Sequence, residues 1–363
     1  MTPLRNELNT YLSVVIMKKS HLLFVSLLAF ILACKVNFNA LQKEDNTFAL
    51  TTEIQLEDNT IVNAIETFYA NGTEGTFEGK AGISIYYKTF VQSKVGSPAI
   101  LISSGRTEAA LKYKEVIYDL YNNGFSIYIH DHRGQGLSGR MTEDPDMGYI
   151  DTFQFYIDDM KYFYDEILLS NPHDKKYLIA HSMGGAIGMT YLEENPNDFQ
   201  AAAFSSPMLG FVPGTCSAAK VLVGKTPKYA AGQSVYEDYK LDFDRNKLTG
   251  SKIRYERMNW AFNDEEQAQL GGATYQWVDK SCKQFKYINS NIDKIITPFI
   301  LFSAENEKIV NPKAHQYFVE SAQKLNKTCE AYTIKNAMHE LLIEKDEQRI
   351  ETMNHILNYF QKF

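Results

Sequence analysis

The sequence predicts an α/β fold: a mostly parallel β-sheet with helices on both faces and an inserted cap. Short apolar runs recur along the chain, and segments with helical periodicity alternate with them. The 363 residues, 44% apolar and 22% charged, suit one globular domain with an insertion. About ninety residues separate two of the apolar runs, far more than a single crossover connection needs.

The predicted strands are the apolar runs themselves. They lie at 83–91, 98–103, 126–130, 176–180, 201–205, 298–304 and 329–334. One helix is readable in detail, because Asp151 and Gln154 suit a capping box and Pro172 ends the segment. The apolar residues of this helix recur on one face, which should pack on the sheet: Ile157, Met160, Tyr164, Ile167 and Leu168.

The long stretch at 207–290 is predicted to be a cap inserted into a domain at 49–363. It holds twelve Lys or Arg and nine Asp or Glu, whereas the whole chain has a formal charge of −7. A slightly basic cap therefore covers an acidic body. The aromatic residues of the cap either form a small core of their own or contact lipid. Nucleic acid is not an expected partner, because the chain has no Lys/Arg-rich run.

The first 34 residues are predicted to be an export leader. Eleven of the twelve residues at 22–33 are apolar, and they follow Met17 and a basic pair, as in a signal peptide. A helix of that length spans only ~18 Å, which is short of the ~30 Å hydrocarbon core of a bilayer. Translation is expected to start at Met17, and the polar residues 35–48 are expected to form a tether.

The leader ends in Ile31-Leu32-Ala33-Cys34, which resembles a bacterial lipobox. We predict that Cys34 is acylated and anchors the protein in a membrane, facing the periplasm or the cell exterior. The alternative is a periplasmic or secreted protein. Acylation would leave Cys216, Cys282 and Cys329, and three thiols permit at most one disulfide, whose pairing the sequence does not select.

A predicted strand runs directly into His181-Ser182-Met183-Gly184-Gly185 and then into an apolar helix. This pattern is typical of a nucleophile elbow, in which a strained turn holds the serine hydroxyl clear of the sheet. Gly184 and Ala180 are the small residues that such a turn needs, although the position of Ala180 is usually glycine. The sequence therefore predicts Ser182 as a nucleophile.

A serine hydroxyl needs a base and an orienting acid, which follow it along the chain in the order acid, histidine. His339 is the predicted base, since the other seven histidines precede the serine, lie in the elbow or fall on predicted helices. Glu305 and Glu307 both lie in the loop after the strand at 298–304. Glu307 is preferred as the acid because it stands two residues before an apolar pair, Ile309-Val310.

The oxyanion of a tetrahedral intermediate needs two backbone donors. The N–H of Met183 is one, and the loop after the strand at 98–103 should supply the other from Arg106. The Arg106 side chain has two interpretations: it binds a substrate phosphate, or it pairs with Glu108 or a cap carboxylate. This chemistry requires neither a metal nor an organic cofactor, and none is expected.

Together these residues resemble the α/β-hydrolase superfamily, in its bacterial lysophospholipase and monoacylglycerol lipase branch. The resemblance spans about residues 48–361. It rests on EGTFEGKAGISIYY, SGRTEA, HDHRGQGLSGR at 130–140, AHSMGG, GGATYQWV at 271–278, AENEKIVNP and MHELLIE. It implies that the loop from Asp131 to Gly136 is structural, with Gly134 and Gly136 as turn residues.

The resemblance also implies a serine hydrolase that cleaves the carboxylic ester of a single-chain lipid through an acyl-enzyme. A lysophospholipid is the preferred substrate. A monoacylglycerol lipase or general carboxylesterase is the alternative within that chemistry. A serine aminopeptidase on the same fold would need carboxylates for a substrate ammonium, which Asp264, Glu265 and Glu266 would supply. The non-enzymatic alternative is a surface lipoprotein on a hydrolase scaffold, which the presence of both Ser182 and His339 disfavours.

Overall fold

The computed structural model describes residues 35–37, 45–237 and 242–363. The predicted leader at 1–34, with Met17 and Cys34, lies outside these residues. Within the described part of the chain, no helix is both long and apolar enough to cross a membrane.

A mostly parallel sheet forms the centre of the protein. Its strands are β1 (Lys35–Asn37), β2 (Thr73–Glu78), β3 (Ser84–Phe90), β4 (Ala99–Ser103), β5 (Ser126–His130), β6 (Lys176–His181), β7 (Ala201–Ser205), β8 (Phe299–Ala304) and β9 (Cys329–Ile334). The strand order is β1-β9-β8-β7-β6-β4-β5-β3-β2. All neighbours are parallel except that β3 pairs antiparallel with both β2 and β5. The predicted strands lie within one residue of these bounds, and the predicted α/β class is confirmed.

Helices cover both faces of the sheet. They are α1 (Glu53–Leu56), α2 (Asn59–Ala70), α3 (Lys114–Asn122), α4 (Gln154–Tyr162), α5 (Met183–Glu194), α6 (Thr215–Leu222), α7 (Lys252–Asp264), α8 (Tyr275–Asn291), α9 (Pro312–Lys324) and α10 (Asp346–Phe360). Alternate strand residues enter two separate cores, as the period of a strand requires. Leu101 and Tyr128 join the core under α4, α5 and α8, whereas Ile100 and Ile127 join the core under α3 and α10.

The capping box predicted for the α4 helix is wrong. The helix begins after Phe153, two residues later than the box requires. Asp151 instead accepts a hydrogen bond from the Tyr149 hydroxyl at 2.6 Å, and the Gln154 amide donates to Glu194 on α5 at 2.8 Å. The predicted apolar face is buried, and the helix continues as a π-helical turn to Leu168. Tertiary packing thus fixed the helix where the local capping signal did not.

The predicted tether contributes to the folded domain. Residues 35–37 form β1, which pairs with β9 at the edge of the sheet. At the other end of the same stretch, the backbone carbonyls of Asp45 and Phe48 accept hydrogen bonds from Asn354 and Asn123. A short, polar segment is well suited to an edge strand. The low apolar content that predicted a tether is therefore also compatible with strand pairing at the edge of the sheet.

Between β7 and β8 the chain forms α6, α7 and α8. A disulfide between Cys216 and Cys282 joins α6 to α8. The ring of Phe211 lies 6.0 Å from Trp277 and 4.9 Å from Phe285, so part of the aromatic content forms a local core.

The α8 helix also packs on the body, where the Gln284 amide donates to the Thr190 hydroxyl of α5 at 2.7 Å. The α7 helix is held to the body by Arg254, which is 1% exposed. Its guanidinium contacts the carboxylates of Glu115 and Asp346, both at 2.9 Å, and donates to the backbone carbonyl of Thr51. The insertion is therefore attached to the body at both α7 and α8.

Candidate active site

Ser182 occupies a strained turn between β6 and α5. Its φ of 50° and ψ of −117° are unusual for a residue with a side chain. The serine N–H donates to the Ser205 carbonyl on the neighbouring strand, β7, at 3.1 Å. This backbone conformation is the one that a nucleophile elbow requires, and it places the side chain at the start of α5.

The elbow packs tightly against the loop after β4, and Gly184 permits that approach. A Cβ on Gly184 would lie 2.1 Å from the Ser103 carbonyl oxygen and 2.5 Å from that of Ser104. Glycine is therefore required at this position. Ala180, by contrast, is fully buried within the sheet, and its methyl group is part of the apolar core. The usual glycine is thus dispensable at 180.

The structure brings Ser182, His339 and Glu307 together. The Ser182 hydroxyl oxygen lies 2.9 Å from His339 Nε2, and His339 Nδ1 lies 2.7 Å from a Glu307 carboxylate oxygen. The three residues come from the loops after β6, β9 and β8, whose carboxyl ends meet at one edge of the sheet. The arrangement can transfer a proton from serine to histidine while the carboxylate orients the ring.

The Glu307 carboxylate is held in its charged form. Burial raises its pKa, but the hydrogen bond with His339 and those from the N–H groups of Ile309 and Val310 outweigh burial and lower the pKa to about 2. Glu305 is exposed and accepts instead from the Asn336 N–H at 2.8 Å. Of the two glutamates, the structure thus places Glu307 against the histidine.

Of the two predicted oxyanion donors, Met183 lies in the elbow and Arg106 lies in the loop after β4, whose residues Ser103 and Ser104 pack against Gly184. Met183 is the first residue of α5, and the first N–H groups of a helix have no partner within the helix. Arg106 follows Gly105, whose N–H donates to Glu108 at 2.7 Å and whose carbonyl accepts from the Gln135 amide at 2.7 Å. The loop that carries Arg106 is therefore fixed on both sides. Gln135 is a positioning residue that sequence reasoning treated only as part of a turn.

The Arg106 side chain contacts the cap and not a carboxylate of its own loop. Its guanidinium donates to the Gly271 carbonyl at 3.1 Å and lies 5.3 Å from the ring of Trp277. Glu108, one of the partners considered for this side chain, is instead bound by Lys112 and Tyr113 at 2.8 and 2.6 Å. Sequence alone gave no signal for contacts with residues so distant along the chain.

The loop at 131–140 is structural. Its first residue, Asp131, accepts from the N–H groups of Ala110 and Leu137 at 2.7 and 2.8 Å, which links this loop to the one that carries Arg106. Gly134 and Gly136 have φ values of 77° and 56°, as turn glycines do. These contacts agree with the structural role that the resemblance implies.

The acidic trio considered for an aminopeptidase lies at the end of α7 and in the turn that follows. Asp264 and Glu266 are exposed, and Glu265 is half-buried. Asp264 lines a groove of about 320 Å³ between α3 and α7, and the described lining of that groove does not include Ser182. Three other charged or titratable residues near the triad had no predicted role, namely Lys112, His181 and Glu340, and they meet Glu108, which was considered only as a partner of Arg106. Their signal in the sequence was adjacency, since His181 precedes the serine and Glu340 follows the histidine.

Known proteins resemble this chain along most of its length. It is 32% identical to lysophospholipase L2 of Escherichia coli strain K12 over 330 residues, covering 88% of this chain and 94% of that protein. It is 34% identical to a probable lysophospholipase L2 of Haemophilus influenzae over 291 residues, covering 77% and 90%. Mouse monoglyceride lipase is 24% identical over 254 residues, covering 69% and 79%.

The fold is shared with solved structures, among them the monoacylglycerol lipase of Paleococcus ferrophilus. That structure superposes with a TM-score of 0.59 at 18% identity, covering 76% of this chain and 98% of that one. A family model described as serine aminopeptidase, S33 (Hydrolase_4), matches residues 97–346. The chain therefore belongs to this α/β-hydrolase family, in its lysophospholipase and monoacylglycerol lipase branch.

Proposed function

We propose that this protein is a serine carboxylic-ester hydrolase that acts on a single-chain lipid, with lysophospholipids as its substrate class. The observation that carries the proposal is the continuous line of contacts from Ser182 through His339 to Glu307, at 2.9 and 2.7 Å. The lysophospholipase relatives, which the chain matches over nearly their whole length, support the substrate class.

The reaction follows from this geometry. His339 Nε2 takes the proton of the Ser182 hydroxyl as the oxygen attacks the ester carbonyl, and the N–H groups of Met183 and Arg106 bind the oxyanion. Collapse of the tetrahedral intermediate breaks the acyl–oxygen bond, and the imidazolium returns the proton to the departing alcohol. Water then attacks the acyl-enzyme with His339 again as base, which releases the fatty acid and restores Ser182.

The substrate class is tested with the purified full chain on an equimolar mixture. It contains 1-acyl lysophosphatidylethanolamine, 1-acyl lysophosphatidylcholine and a monoacylglycerol of the same acyl chain, and an aminoacyl anilide is assayed beside it. We expect fatty acid and the deacylated glycerophospho compounds to form fastest, with Ser182→Ala inactive. Faster release of fatty acid from monoacylglycerol would favour the lipase alternative, which the similarity to monoglyceride lipases supports.

Hydrolysis of the aminoacyl anilide alone would favour a serine aminopeptidase, the activity named in the description of the matching family. In that case Asp264→Asn should weaken substrate binding, whereas the lipid proposal expects no effect of this change on lipid turnover. If no substrate is turned over and fluorophosphonate does not label Ser182, the result would favour a non-catalytic surface lipoprotein.

We further propose that the protein is exported and held at a membrane through acylated Cys34. Two features support this proposal: the apolar run at 22–33 that ends in Cys34, and the disulfide between Cys216 and Cys282. Disulfides persist in oxidising compartments and are rare in reducing ones.

A further inference from the structure

Four buried side chains meet directly behind the proposed catalytic residues: Glu108, Lys112, His181 and Glu340. We call them the buried charge cluster. The Lys112 ammonium lies 2.8 Å from Glu108 and 2.7 Å from Glu340. His181 Nε2 lies 3.2 Å from Glu340 and 3.6 Å from Glu108. None of the four residues is more than 8% exposed, so water is largely excluded from their polar groups.

The cluster supplies its own cations. Glu108, His181 and Glu340 lie close enough together to suggest metal ligands. The Lys112 ammonium, however, already lies within hydrogen-bonding distance of both carboxylates and brings a positive charge to them. The arrangement is therefore an internal ion network.

The surroundings of His181 favour its positively charged form. Its Nδ1 lies 3.0 Å from the Ser205 carbonyl oxygen, which can only accept a hydrogen bond. Its Nε2 faces the two carboxylates, which as anions can also only accept. The Ser205 hydroxyl, 3.2 Å from Nδ1, can donate or accept, so the carbonyl and the two carboxylates are the groups that favour a proton on both ring nitrogens. Burial opposes the charge, but the carboxylates of Glu340 and Glu108 outweigh burial and raise the pKa of His181. The cluster then holds two positive and two negative charges.

Three members of the cluster are each tied to a different part of the proposed catalytic machinery. Glu108 accepts from the Gly105 N–H at 2.7 Å, next to the oxyanion donor Arg106. His181 directly precedes Ser182, and Glu340 directly follows His339. The rings of His181 and His339 are 4.8 Å apart between centroids. Lys112 touches none of the catalytic residues but bridges the two carboxylates.

We propose that the buried charge cluster positions the active site, and that its charge balance sets the pH range in which His339 acts as base. It holds three loops in register: the oxyanion loop through Glu108, the nucleophile elbow through His181 and the histidine loop through Glu340. Its four members are positioning residues. This inference rests on the proposed function, since it concerns how the same Ser182 and His339 are held.

Two substitutions should shift the pH dependence in opposite directions. The charges that face His339 are Glu307, Glu340 and His181, with His315 nearby and Lys112 and Glu108 behind them. Lys112→Met removes a positive charge, which favours a protonated His339, so the acid limb of kcat/KM moves to higher pH. Glu340→Gln removes a negative charge and moves the same limb to lower pH. We expect shifts of about 0.5 pH unit or more.

The experiment uses the full chain and a short-chain p-nitrophenyl ester, with active sites counted by fluorophosphonate titration. We expect kcat per active site to fall on the order of 10-fold in both variants, while KM changes less than about twofold. Lys112→Arg should recover part of the loss, because it restores the charge. The matched control is Lys114→Met, which removes a lysine two residues away whose partner Glu66 lies at the surface. The control should behave as the unaltered protein.

The same inference is tested in the unaltered protein, which does not depend on the folding of any variant. Histidine ¹⁵N chemical shifts at pH 7.5 should show His181 protonated on both ring nitrogens, with assignment by His181→Gln. A neutral His181 would overturn the inference. So would variants that lose thermal stability but keep kcat and an unshifted acid limb, or that shift the limb in the same direction. If the unaltered protein neither labels at Ser182 nor hydrolyses esters, the proposed function fails instead.

Discussion

Ser182 takes a left-handed backbone conformation, with φ of 50°, and so places its hydroxyl 2.9 Å from His339. The serine and the histidine could both be predicted from the sequence, because a small-residue elbow after a strand and a histidine in a late loop have local signatures. The choice between Glu305 and Glu307 was harder. Two residues in one loop can exchange roles with a small change of backbone path, and only the contact with His339 separates them.

Ser182→Ala and His339→Ala should each lower the turnover of a short acyl ester by roughly 10³ or more, because members of a triad act as a unit. Ser182→Ala should also abolish fluorophosphonate labelling. Steady-state kinetics on both variants, with thermal melting to verify folding, checks this. Glu307→Gln should cost less than either change but more than Glu305→Gln, and the reverse order for the two glutamates would assign the acid to Glu305.

Glu307 should make the free energy of unfolding depend on pH in the acidic range. Its pKa of about 2 in the folded protein lies below the ~4.3 of an unfolded glutamate. The resulting stabilisation is present above about pH 5 and is lost as the pH falls towards 2. Urea unfolding at pH 6.5 should show Glu307→Gln destabilised by on the order of 2 kcal/mol, and the difference should shrink at pH 3. A difference that stays constant between these pH values would refute the linkage.

Among the elements, the seven strands from β3 to β9 were predictable to within one residue, whereas helix ends and cap attachments were not. A buried strand is marked by its own apolar residues. The start of α4 depends instead on packing against α5, and the attachment of α7 depends on a buried arginine, Arg254, that meets residues from three distant parts of the chain. Arg254 is one of the twelve basic residues of the cap, and composition alone does not indicate that it is buried.

Arg254→Met should destabilise the protein by about 3 to 5 kcal/mol, because it leaves the Glu115 and Asp346 carboxylates without their main partner. Chemical denaturation followed by tyrosine and tryptophan fluorescence measures the change. The matched control is Arg245→Met, whose side chain is 89% exposed and pairs only at the surface with Asp242. Equal stability for both variants would show that Arg254 does not anchor α7.

The disulfide between Cys216 and Cys282 should stabilise the cap against unfolding. It closes a loop with a sequence separation of 66 residues, for which the chain-entropy estimate is about 4 kcal/mol. Replacing both cysteines by serine should lower the urea midpoint by a corresponding amount. An unchanged midpoint would mean that the bond does not form in the protein.

In the whole molecule, the predicted strands β3 to β9 form the contiguous middle of the sheet. Within this set β3 is antiparallel to its neighbours, contrary to a wholly parallel series, and the sheet is completed at its two edges by β2 and β1. These two strands could not be predicted because their residues are polar and show no apolar run. Long-range ion networks were equally hidden. The buried charge cluster brings together residues separated by up to 232 positions, and local sequence patterns do not predict contacts over such distances.

The location of the molecule is tested through Cys34. In a bacterial host, a chain started at Met17 should be retained in membranes. Cys34→Ser, or treatment with globomycin, should prevent retention through a lipid anchor. Fractionation with mass spectrometry of the mature N-terminus checks this. If the unaltered protein is soluble in the periplasm and carries no lipid, the proposed lipid anchor would be wrong. Export without an anchor would then be favoured.

We propose that Ser182 carries the acyl group of a lysophospholipid during hydrolysis. The most direct measurement is mass spectrometry of the full chain quenched during turnover of 1-acyl lysophosphatidylethanolamine, with peptide mapping and quantification of the products. We expect an acyl adduct on the peptide that contains Ser182, together with equal amounts of fatty acid and glycerophosphoethanolamine, and neither with Ser182→Ala. Turnover that persists in Ser182→Ala, or an acyl group on another residue, would contradict the account.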